Sequence, residues 1–126
     1  NSFLVSCDNA HAVHPNHPEF MDKNHAVYMN EGIVIKYNAN QKYTSDAVSA
    51  AIFRTVCEKA GVPFQYYANR ADMPGGSTLG NIANTQVSLN TVDIGLPQLA
   101  MHSAVETAGS RDVEDLVKVL QVFCEK

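Results

Sequence analysis

Apolar runs too short for anything but strands alternate along this chain with segments of helical period, and that alternation is what an α/β layered fold requires. Ser2 to Cys7 (SFLVSC), Ile33 to Tyr37 (IVIKY), Phe64 to Ala68 (FQYYA) and Val87 to Ile94 (VSLNTVDI, ended by Gly95 and Pro97) read as strands. The clearest helix spans Ala47 to Ala60: Thr44-Ser45-Asp46 offers side-chain oxygens to its first N–H groups, and Gly61 followed by Pro63 stops it. Its expected apolar face is Val48, Ala51, Ile52 and Val56. The turn-forming stretch MPGGSTLG opens a short helix around Leu79 to Thr85. A last helix is expected from about Asp112, where Asp112 and Asp115 form a capping-box-like start, with Val113, Leu116, Val117 and Leu120 buried.

Composition bounds what such a fold does. A chain of 126 residues with 45% hydrophobic residues fills one core, so residues 1–126 read as a single domain. Nine Lys and Arg against thirteen Asp and Glu, with the basic residues scattered singly, argue against a nucleic-acid partner. The apolar runs fall far short of the roughly 20 residues that a bilayer span needs, so no membrane association is expected. Cys7, Cys57 and Cys124 are odd in number and lack C-x-x-C spacing, which reads as reduced thiols in the cytoplasm. The chain opens without Met inside a strand-like run and closes on a helical pattern still apolar at Val122 and Phe123, so both ends read as cut.

Chemistry concentrates at strand exits. SCDNAHAVHPN places Asp8 directly after the first strand, where an ionised carboxylate needs a partner, a hydrogen bond or a metal, and where open α/β sheets hold their ligands. A capping or turn aspartate is the plainer alternative. His11 and His14 follow in H-x-x-H spacing, but Pro15 pushes His14 toward extended backbone, so surface loop histidines, or partners that orient a ligand carboxylate, fit better than two direct ligands. His17 and His25 have less to recommend them. His102, in PQLAMHSAVE just beyond the VDIG strand end, is either a core histidine or a second strand-exit ligand; with Asp8 it would give the oxygen and nitrogen mix that zinc accepts. Pro74-Gly75-Gly76-Ser77-Thr78 is either a tight turn or a backbone anion cradle, and it lacks the phosphate-loop pattern. Lys36, inside IVIKYN, ordinarily belongs on a solvent face and otherwise reads charge.

The order of these pieces is more specific than any one of them. SCDNAHAVHPNHPE, GIVIKYNANQKYTSDA, FRTVCEKAGVPFQ, DMPGGSTLG and NTVDIGLPQLAMHS together resemble the carboxyl-terminal catalytic part of the aspartyl aminopeptidase and vacuolar aminopeptidase I family of zinc metallopeptidases, over nearly the whole chain. The resemblance implies a zinc-exopeptidase-like α/β fold with a mixed β-sheet and flanking helices, a pair of catalytic zinc ions (manganese or cobalt also suit the donors), peptide substrates and assembly into a large homo-oligomer. It implies that Asp8 and His102 each bind one ion and that Lys36 lines the substrate pocket, suited to an acidic N-terminal side chain. Gly75, Gly76 and Ser77 match the pocket-wall turn, with Gly75 where many relatives carry cysteine, and His11 and His14 match positions read as orienting or subunit-contact residues. Val105 stands where a family arginine is common. The family's remaining ligands and its general-base glutamate belong to a Glu-Glu pair and other residues absent from this sequence, so the piece alone is expected to hold zinc poorly and hydrolyse nothing. The rivals to be separated are a non-catalytic self-associating α/β domain and a peptidase preferring neutral N-terminal residues.

Overall fold

Strand β5 (Asn90–Gly95) supplies both faces of the central sheet, because alternate side chains point opposite ways: Val92 and Ile94 join the apolar core, while Thr91 and Asp93 are buried on the other side. The computed structural model describes residues 2–20, 24, 26–37, 45–68 and 78–125. Among these, the sheet runs in the order β1 (Phe3–Cys7), β5, β3 (Ile33–Tyr37), β4 (Phe64–Ala68). β1 pairs with β5 in parallel, β3 pairs with β5 antiparallel and β4 lies parallel to β3, so the sheet is mixed as the resemblance implies. A smaller sheet of β2 (Ala10–His11), β6 (Pro97–Leu99) and β7 (Thr107–Ala108) continues the first. The two chain segments never part company: the Asp8 N–H donates to the Ile94 carbonyl at 3.0 Å, Ala10 N–H to Leu96 at 2.8 Å and Ala12 N–H to Gln98 at 2.9 Å.

Helices α1 (Ala47–Ala60) and α3 (Ser110–Cys124) pack together over one face of the sheet, where Phe53, Val56, Cys57 and Val119 meet Ile33, Ile35, Val92 and Ile94. Helix α2 (Leu79–Gln86) rests on β1 and β5 from the opposite face. Burying each large apolar side chain of this core contributes about 1.5–3 kcal/mol.

The bounds of α1 are those its caps predict, but its buried face is not. Its inward residues are Ser49, Ala50, Phe53, Val56 and Cys57, whereas Val48 is 62% exposed and Ile52 40%. One position along a helix is a turn of roughly 100°, so the stripe sits one residue later than the valines and isoleucine imply: small Ser49 and Ala50 let the helix approach the sheet and Phe53 fills the space. Among the capping residues Thr44 lies outside the described set; Asp46 is the N-cap, accepting from Ser49 N–H at 2.7 Å while its own N–H donates to Ser49 Oγ at 3.0 Å. Gly61, at φ 67°, closes the other end.

The Ser49 N–H holds the Asp46 carboxyl below the usual carboxylate range. A depressed folded-state value means that its stabilisation is present above the unfolded-state value and is lost as pH falls through the folded one. Asp46→Ala is therefore expected to cost about 1 kcal/mol near neutrality. Urea titrations should show that cost shrinking once pH drops below about 4.

Two other elements depart from expectation. Strand β5 begins at Asn90 instead of Val87, because residues 87–89 form the exit from α2, where Leu89 N–H donates to Asn84 Oδ1 at 3.2 Å. Helix α3 starts at Ser110 and Asp112 is no capping box: its carboxylate accepts from the backbone N–H groups of Asn30 at 2.7 Å and Gly32 at 3.1 Å, and Asn30 Oδ1 in turn accepts from Arg111 N–H at 3.1 Å. Val119 is the fully buried apolar residue of α3 and Leu116 and Leu120 pack beside the core, while Val113 and Val117 face solvent.

Candidate functional site

The parallel run of residues 8–12 beside 94–98 sets the rim that carries Asp8 and His11. Asp8 leaves β1 with its backbone tied to Ile94 and its carboxylate exposed, and among the described residues no hydrogen bond reaches that carboxylate. The contact there is close: a Cβ at Gly95 would lie 1.9 Å from the Asp8 carbonyl oxygen, so only glycine lets the strands meet.

Lys36 is not on a solvent face. It is 2% exposed, and its Nζ donates to the Asn9 carbonyl at 2.9 Å. Burial pushes its ammonium pKa down, and the charges of Asp8, Asp93 and Cys7 pull it back up. Asn9 is fixed in turn, since its Nδ2 donates to Gln98 Oε1 at 2.6 Å. Burial also raises the Cys7 thiol, with Lys36 opposing and Asp8 adding to the shift.

His11 pairs in register with Gln98 on β6, and burial lowers its pKa, assisted by the nearby His102 and Lys36. His102 itself sits in the turn after β6 with a left-handed backbone at φ 69°, its N–H donating to Glu106 Oε1 at 2.6 Å and its ring exposed. A non-glycine residue in that region costs on the order of 1 kcal/mol or more, and the Glu106 bond offsets it. Asp8 and the Lys36 ammonium thus meet around Asn9, while His11 stands on β2 and His102 follows β6, the strand paired with β2. His14 turns away into the next loop: its Nδ1 accepts from Asn16 N–H at 3.1 Å and its ring lies 5.6 Å from that of His17, which meets Glu19 at 3.2 Å. Gly75, Gly76, Ser77 and His25 lie outside the described residues.

The donor set falls well short of a metal shell. Asp8 offers an oxygen and His102 a nitrogen, and zinc takes four donors in tetrahedral array. Among the described residues no group of three or more His, Cys, Asp or Glu side chains is placed to hold a metal ion. By themselves these two donors do not make a metal site.

Asp93 is a residue that sequence reasoning missed. It is wholly buried in β5, and Thr78 Oγ1 donates to its Oδ1 at 2.7 Å. A signal for it exists: an acid between Val92 and Ile94 has no plain place in a strand buried on both faces.

The chain is similar in sequence and fold to known proteins. The model of the family described as aminopeptidase I zinc metalloprotease (M18) matches residues 1–124. A probable M18 family aminopeptidase 2 from Pseudomonas paraeruginosa is 52% identical over 122 residues, which is 97% of this chain and 28% of that protein. The cryo-EM structure of an Ape4 and Nbr1 complex contains a chain that is 40% identical, with a TM-score of 0.94 over 96% of this chain and 23% of that one. The structure of the S. cerevisiae mApe1 dodecamer is 32% identical, with a TM-score of 0.87 over 99% of this chain and 27% of that one. The chain thus spans just over a quarter of the length of the curated relative.

Proposed function

This chain belongs to the aminopeptidase I zinc metalloprotease (M18) family, and from that premise we propose that it forms the carboxyl-terminal part of the catalytic domain of a zinc aminopeptidase that removes N-terminal residues, acidic ones preferred, from peptides. Asp8 and His102 each hold one of two metal ions, and the ions when bound supply Lewis-acid polarisation of the scissile carbonyl and a hydroxide nucleophile. The other ligands and the general-base glutamate are contributed by parts of a longer protein, and the 126-residue chain alone hydrolyses nothing. Gly75, Gly76 and Ser77 wall the substrate pocket. His11 orients groups at the rim, and His14 orients the loop or meets a neighbouring subunit. The complete protein assembles into a cytoplasmic homo-oligomer, a reading supported by the dodecamer that the yeast relative forms.

One observation supports the specificity: an ammonium almost wholly buried at the rim, held by the Asn9 carbonyl, beside the exposed Asp8. A buried cation in a low-dielectric wall attracts an acidic substrate side chain far more strongly than a solvated lysine does. A neutral substrate side chain offers that charge no partner.

The test uses the complete protein. It is expected to lose activity to a chelator and regain it with zinc, and to cleave aspartyl ahead of leucyl model substrates. Lys36→Met is expected to collapse that preference by about ten- to a hundredfold, the worth of one charge-assisted hydrogen bond. A preference untouched by Lys36→Met would remove the acidic specificity, and activity indifferent to chelation would remove the metallopeptidase reading.

A further inference from the structure

Resting on the reading of Lys36 as the group that selects acidic substrates, we propose that Asp93 is a positioning residue for specificity: a buried carboxylate that touches no substrate and holds the Lys36 ammonium at the pocket rim.

Strand register brings the two residues together. Ile35 lies opposite Ile94 on the antiparallel β3–β5 pair, so Lys36 and Asp93 are the next residues across and share a face. The same row continues to Ser6, opposite Asp93 on β1, and to Tyr67, opposite Lys36 on β4. All four are buried, on a sheet face whose neighbours Val34 and Ala10 are apolar. A cation and an anion in such a place each offset the other's desolvation, and either one alone would be costly.

The carboxylate is itself held. Thr78 Oγ1 donates to Asp93 Oδ1 at 2.7 Å, and the Asp93 N–H donates to Ser45 Oγ at 2.7 Å. Gly80 N–H donates to Ser6 Oγ at 3.0 Å, which seats the start of α2 on the same row. Asp93 is therefore a fixed point between two sheet strands and a helix end. Among the described residues, the titratable groups that face Lys36 include Asp8 and Cys7 from the end of β1, His11 from β2 and Asp93 from β5. Of these two acids, Asp8 is exposed and claimed by the metal in the reading above, whereas Asp93 is a buried counter-charge that stays in place. The Lys36 ammonium donates to the Asn9 carbonyl from the same side of the sheet. Geometry fixed by Asp93 decides where the ammonium stands when an acidic side chain arrives.

Asp93→Asn keeps the shape and the acceptor for Thr78 while removing the charge. In the complete protein it is expected to raise KM for an aspartyl substrate about tenfold with little change in kcat, and so lower the aspartyl-to-leucyl preference by about the same factor. In a Lys36→Met background the same change should leave the preference where Lys36→Met has put it, because the two residues act as one unit. Thr78→Val is the second variant, retaining the charge but freeing the carboxylate, and is expected to lower the preference about threefold. Equal losses on both substrates, or effects of Asp93→Asn and Lys36→Met that simply multiply, would overturn the proposal and leave Asp93 a stability residue. Should Lys36→Met leave the preference intact, the specificity reading falls and this proposal with it; should Lys36→Met abolish the preference while both Asp93→Asn and Thr78→Val spare it, only the role of Asp93 falls.

Discussion

Asp112→Ala is expected to lower the unfolding free energy by about 3 kcal/mol, since hydrogen bonds to a charged group contribute about 1.5–3 kcal/mol each and two backbone donors lose their acceptor. The Asp112 carboxylate is wholly buried, and its two oxygens receive Asn30 N–H and Gly32 N–H. The tie is reciprocal, because Asn30 returns a cap to Arg111 N–H from a left-handed backbone at φ 63°. One side chain thus joins the entry of β3 to the first turn of α3, a connection that spans the chain from residue 30 to residue 112. Helix α3 has no side-chain cap of its own from Gly109, so the Asn30 bond supplies what the local sequence does not. A domain of this size holds about 5–15 kcal/mol in total, so the loss should appear as a fall in melting temperature on the order of 10 °C. Asp112→Asn should cost less, as an amide oxygen still accepts one of the two bonds. A melting temperature unchanged in Asp112→Ala would show that the segment around Asn30 is held by other means.

Asp112 also marks the limit of what local sequence carries. The bounds of α1, β3 and β4 are legible because their determinants are local: Asp46 and Gly61 punctuate the helix, and β-branched and aromatic residues fill the strands. Which face α1 buries is not, since Val48 and Ile52 are as apolar as Phe53 and only the approach of the sheet to Ser49 and Ala50 decides the matter. Asp112 reads locally as a cap because its partners lie some eighty residues away. β2 and β7 have two residues each, too few for any period, and exist because the parallel run from Asp8 to Ala12 beside Ile94 to Gln98 leaves backbone groups to pair. At the rim, Asp8 and His102 stand out in the sequence as polar residues at strand exits. The burial of Lys36 is not legible, because alternation within IVIKY gives a side for the lysine but cannot tell that α2 and β2 cover that side.

Gly95→Ala tests whether the rim depends on the close approach that carries it. The added Cβ would stand 1.9 Å from the Asp8 carbonyl oxygen and 2.8 Å from its carbon, both backbone atoms that no rotamer can move. Gly95 cannot retreat, because Val34 pairs with it from the other side and Ile94 and Leu96 accept from Asp8 and Ala10 at its flanks. Relief must come from moving Asp8 and Asn9 outward, which strains those bonds and displaces both the candidate metal ligand and the carbonyl that receives Lys36. Overpacking of this kind costs about 1–3 kcal/mol, and each weakened backbone bond adds about 1 kcal/mol. The effect on catalysis should be larger than the effect on the fold, since a misplacement of about 1 Å costs on the order of a hundredfold in rate. In the complete protein, measured at a temperature where the variant remains folded, kcat/KM is expected to fall at least about a hundredfold and bound zinc to decrease. Val56→Ala, which opens a cavity among α1, α3 and the far face of the sheet, supplies the comparison: it should lose about 2 kcal/mol and keep its zinc. If the two variants lose activity only in proportion to their unfolded fractions, the junction of Asp8 with Gly95 supports the fold and has no separate part in holding the site.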